Sequence, residues 1–149
     1  MNKVLILFCL IVAPYLVQAQ ILKPVKWSYA AKKVNSNEAV IFFKAVIDKG
    51  WHIYSQNVKD GGPTKTVFTF NKSSEYSVLG KTVEPKPISN FDKVFGMQVG
   101  YFEQEVVFQQ KIKLKAAGAV TVKCTIEYGT CNDHQCLPPE DLVVGVVVR

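Results

Sequence analysis

Residues 105–128 read EVVFQQKIKLKAAGAVTVKCTIEY, and this stretch decides the class of fold. Apolar side chains recur at alternate positions on both sides of a short break at 116–118, with polar and charged side chains between them. A period of two with one apolar face is typical of a β-strand that buries one face. We therefore predict two strands, 105–115 and 119–128, which the short break joins as an antiparallel hairpin.

Turn-forming residues separate six further apolar segments of strand length. The predicted strands are 25–31, 39–47, 51–54, 66–70, 76–79 and 142–148. Many short strands with frequent turns are typical of an antiparallel β-sandwich, so the predicted fold class is all-β. Residues 84–100 carry two prolines and two glycines and are predicted instead to form a long irregular loop. Such a loop is either functional or packed on the core by its aromatic side chains.

The composition excludes several classes of protein. The chain has 149 residues, of which 48% are hydrophobic and 20% charged, the balance of an ordinary globular domain. The length excludes a catalytic barrel or a two-domain dinucleotide enzyme, which need roughly 200 residues or more. The net charge of +6 comes without charge runs, so no nucleic-acid partner is expected. Hydrolase, phosphate-loop and dinucleotide motifs are absent from the sequence, and no organic cofactor is expected.

Residues 1–19 are predicted to be a secretory signal peptide. A lysine precedes an apolar run at 4–17, and a small residue, Ala19, follows it. The run is shorter than a membrane span and a proline interrupts it, with a retained membrane anchor as the alternative. Cleavage after Ala19 leaves one domain, residues 20–149, that has three cysteines and no membrane-spanning segment. We therefore expect a periplasmic or secreted protein in a compartment where disulfides persist.

The three remaining cysteines fall into two groups. Cys124 lies on the apolar face of the predicted strand 119–128, where a buried and inert thiol is expected. Cys131 and Cys136 are separated by four polar or turn-forming residues, NDHQ. In a hairpin with a four-residue loop, these two cysteines face each other across the strands. Such pairs hold their Cα atoms about 4.5–5.5 Å apart, which overlaps the range that a disulfide needs.

The sequence leaves three roles open for this pair. A redox role is favoured by a hairpin tip that a partner can reach. A structural disulfide is the second role, although closing a ring of about six residues stabilises the fold by only about 2 kcal/mol. A copper or zinc site formed by Cys131, His134 and Cys136 is the third, since two sulfurs and one imidazole suit these metals. His134 is expected either to lower the pKa of a neighbouring thiol or to be a solvated turn residue.

Four motifs carry a resemblance to a known family. They are GWHIY at 50–54, GGP at 61–63, FDKVFG at 91–96 and CNDHQCLPPE at 131–140. In these motifs and their order, the chain resembles the N-terminal periplasmic domain of the thiol:disulfide interchange protein DsbD. The resemblance spans roughly residues 25–148, and the two close cysteines followed by an apolar residue, two prolines and an acid are its most specific mark.

The resemblance implies an immunoglobulin-like β-sandwich that carries one redox-active pair. Cys131 and Cys136 are then the catalytic residues that exchange electrons. Tyr54, at the end of the GWHIY motif, is expected in a strand near the site, with His134 as a second neighbour. The order of attack stays open, and Cys136 is taken here as the resolving cysteine.

The FDKVFG motif implies a loop that caps the cysteine pair and opens when a partner docks. The predicted cap runs from Asp92 to Gly96, and either Val94 or Phe95 supplies the shielding side chain. Members of the family often have an aromatic residue at the position that Val94 occupies here. Shielding by this chain is therefore expected to fall to Phe95.

The resemblance also implies electron transfer from a membrane donor to thioredoxin-like periplasmic proteins. Because the chain ends at Arg149, the membrane electron donor is expected to be a separate protein. The favoured function is a periplasmic thiol–disulfide exchange module, a protein-disulfide reductase domain that needs no organic cofactor. Two alternatives stay open: a non-catalytic immunoglobulin-like binding domain with a structural disulfide, and a copper- or zinc-binding periplasmic protein.

Overall fold

The structure is a computed structural model that describes residues 22–149. The predicted signal peptide and its cleavage site therefore lie outside the described residues. The described part contains eleven β-strands, and no helix in it is long and apolar enough to span a bilayer. The strands are β1 (Val25–Lys33), β2 (Glu38–Ile47), β3 (Trp51–Tyr54), β4 (Val67–Phe70), β5 (Tyr76–Val83), β6 (Ile88–Asp92), β7 (Met97–Phe102), β8 (Glu105–Leu114), β9 (Val120–Tyr128), β10 (Thr130–Asn132) and β11 (Glu140–Val148).

The strands form three antiparallel sheets. Their orders are β1-β2-β8-β5, β10-β3-β7-β6 and β11-β9-β4. The first and third sheets supply most of the side chains of the main hydrophobic core, which lies between them. This arrangement confirms the predicted fold class, an all-β immunoglobulin-like antiparallel β-sandwich.

Strand β2 shows how the local sequence produces these elements. Its alternate residues Ala39, Ile41, Phe43, Ala45 and Ile47 are all buried, whereas the residues between them are partly or fully exposed. Burying a side chain the size of isoleucine or phenylalanine stabilises the fold by about 1.5–3 kcal/mol. The alternation therefore turns this face of β2 towards the core.

The predicted hairpin between 105–115 and 119–128 is wrong. Strand β8 pairs with β2 and β5, whereas β9 pairs with β11 and β4, so the break at 116–118 crosses from one sheet to the other. The crossing lets the apolar faces of both strands enter the same core, where Phe108 and Ile126 are fully buried. Alternation in the sequence shows which face of a strand is apolar. It does not show which strand will pair with it, because the backbone groups along a strand edge are the same in every strand.

The prediction of an irregular loop at 84–100 is also wrong. Strands β6 and β7 form an antiparallel hairpin in which Phe91 pairs with Gln98 and Asp92 pairs with Met97. The side chains of β6 are mostly exposed, so this strand shows no alternation of buried and exposed positions that a sequence pattern could reveal. Pairing with β7 holds β6 at the edge of the second sheet.

The two faces of this second sheet have different environments. One face places Trp51, Ile53 and Phe102 in the main core. The other face carries a small separate cluster in which Cys131 and Tyr54 are buried, together with Val58 and Val99. The candidate functional site lies on this second face.

Candidate functional site

Cys131, in β10, and Cys136, after the turn that follows this strand, form a disulfide bond. The S–S distance is 2.03 Å and the two Cα atoms are 4.0 Å apart, slightly closer than the spacing predicted for a cross-strand pair. Backbone hydrogen bonds flank the pair on both sides: Leu137 N–H donates to the Thr130 carbonyl at 2.9 Å, and Asn132 N–H to the Gln135 carbonyl at 2.9 Å. The two cysteines therefore face each other as an antiparallel bridge, which is the cross-strand pairing that their spacing predicted.

The loop between the cysteines is organised by Asn132. Its Oδ1 accepts hydrogen bonds from the backbone N–H groups of His134 and Gln135, each at 2.8 Å. An asparagine side chain that accepts hydrogen bonds from the backbone N–H groups two and three residues later is typical of an Asx turn. The turn leaves His134 exposed at the tip of the hairpin.

The ligand set Cys131, His134 and Cys136 is not assembled in this structure. The two sulfurs are bonded to each other, and His134 is exposed in the turn. Among residues 22–149, no group of three or more His, Cys, Asp or Glu side chains is arranged to hold a metal ion.

The two sulfurs of the disulfide differ in access. Cys131 is only 4% exposed and packs in the small cluster with Tyr54 and Val99, whereas Cys136 is exposed. A molecule approaching from solvent therefore meets the Cys136 side of the bond. This asymmetry arises because Cys131 lies in the ladder with β3, while Cys136 lies beyond the turn.

The turn between β6 and β7 brings Phe95 to the disulfide. Asp92 Oδ1 accepts hydrogen bonds from the backbone N–H groups of Val94 (2.8 Å) and Phe95 (3.3 Å), and Gly96 completes the turn with a φ of +64°. A positive φ costs little only for glycine, which has no Cβ. The half-buried Phe95 lines a cleft of about 250 Å³ together with both cysteines.

Val94 and Phe95 take opposite positions in this turn. Val94 is 87% exposed and does not line the cleft, whereas Phe95 does. Tyr54, which the resemblance placed near the site, lines the same cleft.

The loop that carries the GGP motif forms another wall of the cleft. Gly62, Pro63 and Thr64 line the cleft, and Thr64 packs directly on Gly129. A Cβ at Gly129 would lie 2.8 Å from both the Cβ and the carbonyl oxygen of Thr64, closer than real Cβ contacts come. Glycine at 129 therefore permits the close approach that forms this wall.

The sequence reasoning missed His52 as a residue of the site. His52 pairs directly with Cys131 in the β3–β10 ladder. Its Nε2 lies 3.1 Å from the hydroxyl of Tyr54, and its ring centroid lies 5.0 Å from that of Tyr101. The available signal was its position two residues before Tyr54, which puts both side chains on one face of a strand.

Acidic side chains surround His52. Asp92, Glu103 and Asp133 line a pocket of about 140 Å³ with His52 and Tyr54. Burial lowers the pKa of His52 below its usual value, and the three carboxylates oppose this shift. Burial, with a smaller contribution from Asp92, raises the pKa of Tyr54 to about 12. The site therefore favours a neutral imidazole beside a protonated phenol at neutral pH.

Cys124 lies apart from the disulfide, in strand β9. Its side chain is fully buried in the main core and is not bonded to another cysteine. Burial raises the pKa of its thiol to about 12. The structure confirms the predicted burial of Cys124, and its inertness stays a prediction that rests on the thiolate being the reactive form.

The match to a family model covers almost all of the chain. The model described as thiol:disulfide interchange protein DsbD, N-terminal, matches residues 18–147. No curated protein matches the sequence.

Three solved structures share the fold. The N-terminal periplasmic domain of ScsB from Proteus mirabilis has a TM-score of 0.62 at 16% identity; the match covers 83% of this chain but only 46% of that one. The DsbD N-terminal domain of Neisseria meningitidis in its reduced form has a TM-score of 0.51 at 18% identity. That match covers 78% of this chain and 82% of the other. The complex between the DsbD and PilB N-terminal domains of the same organism has a TM-score of 0.53 at 18% identity. That match covers 85% of this chain and 87% of the other.

Proposed function

Since the chain belongs to the family of DsbD N-terminal domains, we propose that it is a thiol–disulfide exchange module whose catalytic residues are Cys131 and Cys136. The observation that carries the proposal is a disulfide with one exposed sulfur, Cys136, in a cleft that Phe95 also lines. A disulfide that serves only to stabilise a fold has no need of an open cleft beside it. A bond that closes so short a ring also contributes little to stability, about 2 kcal/mol.

The difference in access suggests a role for each cysteine. Exposed Cys136 forms the mixed disulfide with a partner, and buried Cys131 is the resolving cysteine. This order is the reverse of the prediction from the resemblance, in which Cys136 is the resolving cysteine. It is supported by the ladder with β3, which holds Cys131 where a large partner does not reach it.

The exchange proceeds in two displacements. In the reduced protein, the Cys136 thiolate attacks one sulfur of the partner disulfide, a mixed disulfide forms, and the other partner sulfur leaves as a thiolate. Cys131 then loses its proton and attacks Cys136 Sγ, which forms the intramolecular disulfide and releases the second partner thiolate. Two electrons pass to the partner, and the two sulfurs carry them without an organic cofactor.

The cap supports the exchange by controlling access. Residues Asp92 to Gly96 form the turn that brings Phe95 to the cleft, and docking of a partner displaces this turn. Phe95, and not Val94, supplies the shielding side chain in this proposal, because Val94 is 87% exposed. Shielding between encounters protects the reduced pair from unspecific oxidants.

The proposed partners are thioredoxin-like periplasmic proteins as acceptors and a membrane protein as electron donor. The complex between the DsbD and PilB N-terminal domains of Neisseria meningitidis supports docking of this kind of domain on another protein. We place the protein in the periplasm after cleavage of a signal peptide, residues 1–19, which leaves residues 20–149 as the working domain.

A redox titration tests the proposed function. The purified protein is equilibrated in glutathione buffers of graded potential, and its free thiols are counted by alkylation and mass. We expect Cys131 and Cys136 to titrate together at a potential well above about −300 mV. A bond that the glutathione pool does not reduce would instead identify a binding domain with a structural disulfide. A Cys124→Ala variant assigns the counted thiols to the pair.

A further inference from the structure

His52 and Cys131 are direct partners in the antiparallel ladder between β3 and β10. Residues directly opposite each other in such a ladder project their side chains to the same face, with Cβ atoms about 4.5–5.5 Å apart. The half-buried imidazole of His52 and the buried side chain of Cys131 therefore lie next to each other on one face of the sheet.

Tyr54 connects the two side chains. Its hydroxyl lies 3.1 Å from His52 Nε2, and the same side chain packs with Cys131 in the small buried cluster. A hydroxyl group both donates and accepts hydrogen bonds. The Tyr54 hydroxyl is therefore placed to exchange a proton with the imidazole of His52, on the side chain that packs with Cys131.

The charged and titratable groups around His52 come from three further segments. Tyr101 lies in strand β7 and Glu103 directly after it, the end of β6 contributes Asp92, and the hairpin after β10 contributes Asp133. The three carboxylates favour the imidazolium form, while burial favours the neutral ring and has the larger effect. The neutral ring is a base at neutral pH, and the carboxylates stabilise the cation that it becomes after taking a proton.

We propose that His52 is the general base that takes the proton of the Cys131 thiol in the resolving step. This inference rests on the proposed exchange function and adds to it the residue that activates the buried sulfur. His52 accepts the proton, the Cys131 thiolate attacks Cys136 Sγ, and the partner sulfur leaves as a thiolate. The proton on the imidazolium then passes to that thiolate or to water. In the reverse direction, the imidazolium protonates Cys131 as the disulfide opens.

The chain offers an internal control, because it has two histidines, His52 and His134. His134 lies closer to both cysteines in sequence, but it is exposed at the tip of the turn. A proton acceptor identified by sequence distance would be His134, whereas the ladder identifies His52. Matched glutamine substitutions at the two positions therefore decide between the two assignments.

The experiment follows the reaction of the reduced protein with 5,5′-dithiobis(2-nitrobenzoate) in a stopped-flow instrument at several pH values. Attack by Cys136 releases one coloured thiolate at a rate that is proportional to the reagent concentration. Resolution by Cys131 releases the second at a rate that does not depend on it. The second phase thus isolates the step in which His52 is proposed to act.

For the wild-type protein, we expect the second phase to rise with pH and to level off above the pKa of His52, which lies below the usual value of about 6.5. His52→Gln should slow this phase about 10²-fold at pH 7, the lower end of the contribution of a positioned general base. In this variant, the rate of the second phase should keep rising with pH until the pH reaches the pKa of a thiol. In His134→Gln, the rate of the second phase should level off at the same pH as in the wild type.

Two outcomes would overturn the proposal: a second phase with the same pH profile in His52→Gln as in the wild type, or loss of the levelling in His134→Gln. If His52→Gln does not fold, the wild-type profile decides, since a rise that continues to the thiol pKa shows no imidazole base. If glutathione does not reduce the cysteine pair, or if the reduced protein gives no first phase, the proposed exchange function itself is contradicted. If His52→Gln gives a normal first phase and a second phase that is unchanged from the wild type, only the role proposed for His52 is contradicted.

Discussion

Phe95 and Cys136 line one cleft, although 41 positions of the chain separate them. The half-buried aromatic ring reaches this cleft because Asp92 Oδ1 accepts the backbone hydrogen bonds that shape the turn around it. We therefore expect access to the exposed sulfur of the site to depend on this short hairpin turn.

Truncation of Phe95 tests the shielding directly. We expect Phe95→Ala to speed alkylation of reduced Cys136 by iodoacetamide about fivefold, which corresponds to a loss of ~1 kcal/mol from the closed turn. Val94→Ala is the matched control, because Val94 lies in the same turn but is 87% exposed and outside the cleft. Equal rates for wild type and Phe95→Ala would mean that the ring does not shield the sulfur.

Substitution of Asp92 separates the shape of the turn from its charge. Asp92→Ala removes the acceptor of two backbone hydrogen bonds, worth about 0.5–1.5 kcal/mol each, and should speed alkylation of Cys136 as Phe95→Ala does. Asp92→Asn keeps an acceptor oxygen and should react nearly as slowly as the wild type. If both variants react equally fast and faster than the wild type, the charge of Asp92, and not its hydrogen bonds to the turn, holds the cap.

Gly129 is predicted to be intolerant of a side chain. Gly129→Ala places a Cβ 2.8 Å from the Thr64 backbone and should lower the free energy of unfolding by about 1–3 kcal/mol, measured by urea denaturation of the oxidised protein. Gly145→Ala is the control, since its Cβ would meet Thr121 Cγ2 at an ordinary 3.5 Å. That variant should change stability by less than about 0.5 kcal/mol or stabilise slightly. Equal costs at both positions would contradict the close packing of the Thr64 loop.

The buried thiol of Cys124 predicts a stability difference at alkaline pH. Its pKa is raised to about 12 in the folded protein, against about 8.5 when unfolded, so only the unfolded state ionises between these values. The stabilising contribution is complete below pH ~8.5 and is lost as pH rises towards 12, by at most ~1.4 kcal/mol per pH unit.

Cys124→Val keeps an apolar side chain of similar size and removes this titration. The free energy of unfolding of wild type and variant, measured in urea with the Cys131–Cys136 bond intact, should run parallel from pH 6 to 8. Above pH 9 the wild-type value should fall faster. Curves that stay parallel to pH 10.5 would show that the thiol titrates normally. Tyr54 and Tyr128 also have raised pKa values, but they are present in both proteins and cancel in the comparison.

Strand positions were predictable because burial alternates locally. Residues 51–54 were predicted as a strand and form β3, and the predicted strand 39–47 lies one residue inside β2. In both segments the apolar faces enter the cores, and neighbouring residues along the chain are sufficient to show this. Strand β6 escaped prediction because its side chains are mostly exposed and only its pairing with β7 makes it a strand.

The components of the site were predictable to different degrees. The spacing of Cys131 and Cys136 predicted their cross-strand pairing, because six consecutive residues decide that geometry. Which of Val94 and Phe95 lines the cleft was not readable from the sequence, because it depends on how the turn directs two neighbouring side chains. His52 needed the register of β3 against β10, a pairing between segments far apart in the sequence.

The sequence by itself determined the all-β class, the inward face of the long strands and the local cysteine pair, since each depends on contacts between residues a few positions apart. Only the tertiary structure decided which strands pair, which sulfur is buried and which side chains meet the disulfide. Backbone hydrogen-bonding groups are the same at every residue, so the partner of a strand edge is selected by packing of the whole sandwich. That packing placed β8 and β9 in different sheets and set His52 opposite Cys131.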